Sequence, residues 1–194
     1  HLFVRETDGT LKDLTPGEKT RAYLLGWDQS GETFYVATNA RDEATDDVYA
    51  YSAADYSSRM IYQNDGLEIG AISPDGKLLA LVENVSSADA NLYLYDLGAA
   101  APSKTLITPH DGNIAYTAYG FTPDSQKLVY GTNEHGEFTE AWTHDVATGE
   151  KAALVSADWD VLAVSYSPTG RYRVSTVNAD GLWEVTFLDT VKGK

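Results

Sequence analysis

Hydrophobic and polar residues alternate along the chain in short runs, and a tight polar turn interrupts them at regular intervals. In four places an apolar or aromatic residue leads into a turn and a new apolar run follows; these are residues 27–31, 72–76, 121–125 and 166–170. Their last residues lie 45, 49 and 45 positions apart. Pro fixes φ for a turn, Asp and Ser bond the local backbone, and Gly tolerates positive φ. The pattern predicts a hairpin turn at each place.

Two further patterns repeat with the same period. Alternating segments end at Ser52, Asp96, Asp145 and Asp189, at spacings of 44, 49 and 44 residues. The pairs Leu14-Thr15, Ile61-Tyr62, Ile107-Thr108 and Val155-Ser156 follow at 47, 46 and 48 residues. Alternation indicates half-buried strands. A period of about 46 residues containing four strands is typical of a β-propeller blade.

The predicted fold class is all-β, a β-propeller segment of about four four-stranded antiparallel blades. We label the strands of a blade a to d from the centre outward. Residues 1–194 are expected to form a single partial propeller with incomplete blades at both ends; the blade pieces are 1–15, 21–63, 66–108, 112–156 and 161–188. Open blade edges expose unpaired backbone groups. The chain could therefore close as a small four-blade ring, or pair as a homodimer through these edges.

The composition of the chain limits the classes of partner and cofactor that it is expected to bind. The chain has 14 basic and 29 acidic residues, a formal net charge of −15, which argues against nucleic acid and membrane partners. It has no cysteine, so disulfides and thiolate chemistry are excluded. Acidic residues crowd positions 42–47 without the spacing of a calcium loop, which favours a solvated loop. No metal site and no cofactor are expected, and composition leaves the compartment open.

Several stretches resemble a known family. The turn at residues 73–77, with the strands at 78–80 and 92–96, resembles the blades of TolB-like propellers. More specific segments resemble the N-terminal propeller of bacterial serine peptidases of the prolyl oligopeptidase family; they are 14–17, 26–27, 34–42, 62–66, 70–76, 134–138 and 157–161. The resemblance implies a bacterial protein of the cytoplasm or periplasm. It also implies peptide substrates and a C-terminal α/β-hydrolase domain of the same parent chain, which the propeller caps.

The chain departs from that family in its catalytic machinery. It has no Gly-x-Ser-x-Gly motif, and its four histidines show no triad pattern with Ser and Asp. We therefore expect no catalytic residue here, the hydrolase domain to be absent from this chain, and a role as a filter that admits short peptides. A stand-alone TolB-like protein-binding scaffold is the alternative. A carbohydrate-active propeller is a remoter one, which would need carboxylates in the central channel.

Candidate contact residues lie in the b–c connections, which share one face with the d–a connections. We expect these connections to be long and variable and to begin at Asn39, Asn84, Asn133 and Asn178, whose side chains are expected to bond local backbone.

In the first connection, Arg41 and Asp42 form either a docking point for a peptide carboxylate or the partner domain, or a surface ion pair. In the third, Glu134 and Glu137 are positioned to hold a peptide amino terminus with Phe138 packing beside it; the alternative is a solvated loop. The resemblance implies that Glu134 and Glu137 hold an amino terminus, because a pair of propeller glutamates performs this role in dipeptidyl-peptidase relatives.

Overall fold

The computed structural model describes residues 1–101 and 103–194, and within them it contains only β-strands and turns. In chain order the strands are β1 (Phe3–Arg5), β2 (Leu11–Asp13), β3 (Ala22–Trp27), β4 (Thr33–Asp42), β5 (Thr45–Ser52), β6 (Ser58–Tyr62), β7 (Glu68–Ile72), β8 (Leu78–Ser86), β9 (Asp89–Asp96), β10 (Lys104–Leu106), β11 (Tyr116–Phe121), β12 (Lys127–Thr132), β13 (Glu140–Asp145), β14 (Lys151–Val155), β15 (Asp160–Tyr166), β16 (Tyr172–Ala179) and β17 (Leu182–Asp189). The described residues contain no helix long and apolar enough to cross a membrane.

Consecutive strands pair into five open sheets. Strands β3–β6, β7–β10 and β11–β14 form four-stranded sheets in chain order, β15–β17 form a three-stranded sheet, and β1 pairs with β2. The pairing is antiparallel, as where Leu78 lies opposite Asp96. Each sheet is a meander of hairpins, the arrangement of a propeller blade. The predicted all-β fold with four-stranded antiparallel sheets is confirmed.

The repeated turns are alike in all four larger sheets. In each, the N–H that opens the turn donates to the carbonyl five residues later at 2.8–2.9 Å; the donors are Asp28, Ser73, Thr122 and Ser167. The fourth residue of each turn has positive φ, at 74° for Gly31, 69° for Gly76, 61° for Ser125 and 71° for Gly170. The turn chemistry read from the sequence therefore sets the backbone of the a–b hairpins.

The chain divides into two compact units, His1–Ile69 and Gly70–Lys194. In the first, the core consists of Phe34, Val36 and Tyr51 of the β3–β6 sheet. Leu2 and Leu14, which flank the β1–β2 hairpin, pack against it. Apolar side chains of two successive sheets thus meet face to face.

In the second unit the same packing occurs twice. One cluster joins β8 and β9 to β11 and β12, with Leu92 and Tyr130 among its buried members. Another joins β12 and β13 to β15, through residues that include Val129 and Val161. Because each sheet has apolar side chains on both faces, it buries them only by stacking between neighbours. Stacked sheets leave the connecting turns at the sheet ends.

The prediction of long b–c connections is wrong in three of four sheets. Two residues separate the paired strands at 43–44, 87–88 and 180–181, and only residues 133–139 form a longer loop. Asn39, Asn84 and Asn178 lie inside strands rather than at loop starts. The ladder continues past them, as shown by the pairing of Asp42 with Thr45 and of Ser86 with Asp89.

Candidate functional site

The asparagine side chains near the ends of two b strands form hydrogen bonds with the backbone that leads into strand a. The Oδ1 of Asn39 accepts the Arg21 N–H at 2.7 Å, and its Nδ2 donates to the Lys19 carbonyl at 3.2 Å. The Oδ1 of Asn133 accepts the Ala115 N–H at 2.9 Å in the same way. Both side chains hold the segment that enters strand a. These backbone partners lie 18 to 20 residues away in the sequence, so the bonds at these two positions are not the local ones that the sequence predicted.

Arg41, in the first unit, pairs with a buried carboxylate. Its Nε and Nη2 donate to the two oxygens of Asp47 at 2.6 and 2.9 Å, and the Asp47 side chain is fully buried. The Asn64 N–H donates to the same carboxylate at 2.8 Å. Burial opposes ionisation of Asp47, but the bonds from Arg41 and Asn64 outweigh it and lower its pKa. The pair fixes the β6–β7 connection to the β4–β5 hairpin.

Asp42 and its acidic neighbours also have specific partners. The Oδ1 of Asp42 accepts the Ala44 N–H at 2.9 Å, which shapes the turn, while its Oδ2 lies 4.0 Å from Nη1 of Arg41. Glu43 pairs with Lys19 at 3.2 Å and Asp46 pairs with Arg21 at 3.0 Å. Across residues 1–101 and 103–194, no group of three or more His, Asp or Glu side chains is arranged to hold a metal ion.

In the second unit, Glu134 contacts Tyr116 of the neighbouring strand. Its Oε2 accepts the Tyr116 hydroxyl at 2.9 Å, and its side chain is 28% exposed. Burial and this carboxylate raise the pKa of Tyr116. The ring of His135 packs against Trp142 in a tilted arrangement with 4.0 Å between centroids, and the Nε2 of His135 lies 3.7 Å from Glu134. The Glu134 carboxylate is therefore already bonded to Tyr116 of β11 and lies close to the neighbouring His135.

Glu137 and Phe138, further along the same loop, differ in environment. Glu137 is exposed and makes no hydrogen bond or ion pair with the described residues. Phe138 packs against Trp159 of the next connection, with ring centroids 5.6 Å apart. The Thr139 N–H donates to Asp160 at 2.8 Å, which holds the loop against β15. The loop is thus anchored at both ends, with a free carboxylate between them.

His110 forms a contact that the sequence analysis missed. Its Nδ1 lies 2.8 Å from the Thr108 carbonyl and its Nε2 lies 2.9 Å from Asp89, and only 6% of the side chain is exposed. The Thr108 carbonyl and the Asp89 carboxylate raise the pKa of His110. With two acceptors, the ring satisfies both contacts as imidazolium. No sequence spacing signals this pair, because Asp89 at the start of β9 and His110 in the β10–β11 connection lie 21 residues apart.

The five candidate residues thus form two groups in separate units. Arg41 and Asp42 belong to the first unit, and Glu134, Glu137 and Phe138 belong to one loop of the second. Among these five, Glu137 alone makes no side-chain hydrogen bond, ion pair or ring contact with the described residues. It is the group left free to meet a ligand or another domain. A role in substrate or domain contact stays a prediction for all five.

Solved structures with the same fold come from two groups of proteins. TolB from Acinetobacter baumannii superposes with a TM-score of 0.72 and 17% identity over 99% of this chain and 47% of that one. A putative TolB from Agrobacterium tumefaciens gives 0.64 and 19% over 95% of this chain and 63% of that one. A structure from an analysis of two prolyl endopeptidases gives 0.64 and 16% over 96% of this chain and 29% of that one.

The chain spans less than two thirds of the length of each of these structures. No protein-family model matches it, and no curated protein matches it in sequence. The similarity therefore defines a fold: the chain is a TolB-like β-propeller segment, of the kind present in TolB and in prolyl endopeptidases.

Proposed function

We propose that this chain is the non-catalytic propeller part of a serine oligopeptidase, where it caps the active site and filters peptides by size. Its partners would be a C-terminal α/β-hydrolase domain of the same parent chain and the peptide substrate. The observation that carries the proposal is the contrast between the two ends of the β11–β14 sheet. Its a–b hairpin is a tight turn, whereas its b–c connection, residues 133–139, is the longest b–c connection among the described residues and carries the exposed Glu137.

Rigid support for that loop favours a contact role. The loop is tied to β15 through the Val161 N–H, which donates to the Thr139 carbonyl at 2.8 Å, and through the Thr139–Asp160 bond. A loop held at both ends can position Glu137 with little loss of conformational entropy when a partner binds. An exposed carboxylate in such a position suits a peptide amino group or a basic side chain of the capped domain.

The first test applies to the chain as it stands. Because it has no nucleophile elbow, it should neither hydrolyse chromogenic peptide amides nor react with a fluorophosphonate serine probe. Stoichiometric labelling of any serine would contradict the proposal of an inert cap. A reading frame that continues beyond residue 194 into an α/β segment with a Gly-x-Ser-x-Gly motif would support it.

The second test locates the contact. In the longer enzyme, Glu137→Ala should lower kcat/KM for a long peptide by up to about fivefold, as an exposed ionic contact allows. Glu150→Ala is the matched control, since Glu150 is an exposed glutamate in the connection between β13 and β14, at the other end of the sheet. Unchanged kinetics for Glu137→Ala with every peptide length would exclude this residue.

A stand-alone TolB-like scaffold that binds other proteins is the second candidate. The TM-score of 0.72 with TolB favours it. In that case no hydrolase segment would follow residue 194, and the loop at 133–139 would contact a protein partner instead of a substrate. The same reading frame distinguishes the two candidates.

A further inference from the structure

A cleft of about 710 Å³ lies within the second unit, between the outer strands of the β7–β10 and β11–β14 sheets. Its apolar wall is formed by Leu78, Leu94, Leu106, Ile107 and Val146. None of the five candidate contact residues lines it. Concave and largely apolar walls with a few polar groups are the usual features of a small-molecule site.

His144 is the unusual member of this cleft. The residue is 7% exposed, and its Nδ1 is buried without a hydrogen-bond partner. Neither ring nitrogen bonds any described residue. Burial and the nearby Lys151 ammonium lower the pKa of His144, so the ring is neutral at pH 7. A neutral imidazole carries one donor and one acceptor, and leaving the buried Nδ1 unpaired is costly.

Lys151 supplies a positive charge beside this ring. It lies directly opposite His144 in the β13–β14 ladder and lines the same cleft, and it forms no ion pair with the described residues. Asp96 also lines the cleft, but its Oδ1 accepts the Gly98 N–H at 2.8 Å. Acidic residues outnumber basic ones in this chain, which has a net charge of −15, so a basic side chain has many carboxylates with which it could pair. The unpaired Lys151 ammonium is therefore unusual here.

We infer that this cleft binds a small carboxylate with an apolar body. The carboxylate would accept bonds from the Lys151 ammonium and from Nε2 of His144, and the apolar body would cover Leu94, Leu106 and Val146. Charge-assisted bonds to a desolvated carboxylate supply the specificity, and the apolar wall supplies the burial. The inference is independent of the proposed peptidase role, because the cleft shares no residue with the candidate contact loop.

The test uses 3-phenylpropionate as the probe and the 194-residue chain labelled with ¹⁵N. Titration should shift the ring nitrogens of His144 and the amides of residues 144–151, with saturation in the millimolar range or below. The neutral analogue 3-phenylpropanamide should bind at least about tenfold more weakly, because it lacks the charge that Lys151 recognises.

Variants distinguish the effect of Lys151, which lines the cleft, from that of a lysine elsewhere on the surface. Lys151→Gln should weaken binding of 3-phenylpropionate by about tenfold or more, whereas Lys192→Gln, at an exposed position outside the cleft, should leave it unchanged. His144→Phe should also weaken binding; if that variant does not fold, the direct shifts of the His144 ring in the unaltered chain decide. Absence of shifts at His144 up to saturating probe, or equal binding of acid and amide, would overturn the inference.

Discussion

The Tyr130 side chain carries a polar group that its surroundings leave unpaired. The residue is fully buried in the cluster between β8–β9 and β11–β12, and its hydroxyl has no hydrogen-bond partner. Burial raises the pKa of Tyr130 to about 12. Tyr130→Phe should therefore raise the free energy of unfolding by about 1 kcal/mol, because it removes an unsatisfied buried group at nearly constant shape. Urea unfolding with an unchanged m-value would measure this.

Tyr116→Phe is the matched control at the adjacent ring. Its hydroxyl is bonded to Glu134, so the same atom is removed with the opposite expected sign, a loss of about 1 kcal/mol. If both variants were destabilised equally, the Tyr130 hydroxyl would have a partner such as a buried water.

The His110–Asp89 pair predicts a pH dependence of stability. The folded-state pKa of His110 is raised above the value of 6.5 expected in the unfolded chain. The pair therefore stabilises the fold fully below pH 6.5 and loses that contribution as the pH rises through the folded-state pKa. The charges that face this ring are Asp89 and Glu134. The stability advantage of the unaltered chain over His110→Gln should thus shrink as the pH rises above 6.5, measured by thermal unfolding.

Asp89→Asn provides the control for this titration. It keeps the shape of the side chain but removes one cause of the raised pKa, so the advantage over His110→Gln should fade at lower pH than with Asp89 present. An advantage that instead grew with pH would mean that His110 is neutral in the folded state.

Between whole strands, the Tyr119 side chain packs closely on a glycine of its own sheet and links that sheet to the next one in the second unit. A Cβ added at Gly131 of β12 would collide with the hydroxyl group of Tyr119 in β11. That hydroxyl donates to the Val161 carbonyl in β15. Gly131→Ala should displace the Tyr119 ring, break this bond, and cost about 1–3 kcal/mol in the free energy of unfolding.

Gly136→Ala is the corresponding control, because an added Cβ there meets nothing within 4 Å. Its effect should stay within about 0.5 kcal/mol. Equal effects of the two substitutions, measured by chemical unfolding, would show that the Tyr119 contact does not hold these sheets together.

For the molecule as a whole, the free edge at β17 is the feature that affects assembly. Within residues 1–101 and 103–194 this strand pairs only with β16, and Trp183, Val185 and Phe187 on one face are 74%, 51% and 69% exposed. An apolar open edge is a template for strand addition. We therefore expect a concentration-dependent dimer, about twice 21.1 kDa, in light scattering.

Val185→Lys should shift this equilibrium toward the monomer, since a charged residue on an edge strand opposes pairing. Thr169→Lys adds the same charge at an exposed turn of the same sheet and should leave the equilibrium unchanged. A strict monomer at high concentration would contradict pairing through this edge.

The strands, the period and the a–b turns follow from the sequence alone. These features depend on local physics: alternation places side chains on one face or the other, and a turn needs a residue that tolerates positive φ. Even Ser125, which replaces the usual glycine, adopts the same φ of 61° in its turn. The repeat was therefore sufficient to predict the all-β propeller fold.

How the candidate residues are used depends on the tertiary structure. Arg41 pairs with the buried Asp47, His110 pairs with Asp89, three of the b–c connections are short, and His144 is unpartnered in a cleft. The His110–Asp89 pair and the cleft bring together segments that are separate in the sequence, whereas Arg41 and Asp47 meet within one hairpin. Bond formation and burial there depend on how sheets stack, and no local pattern of residue types encodes that stacking.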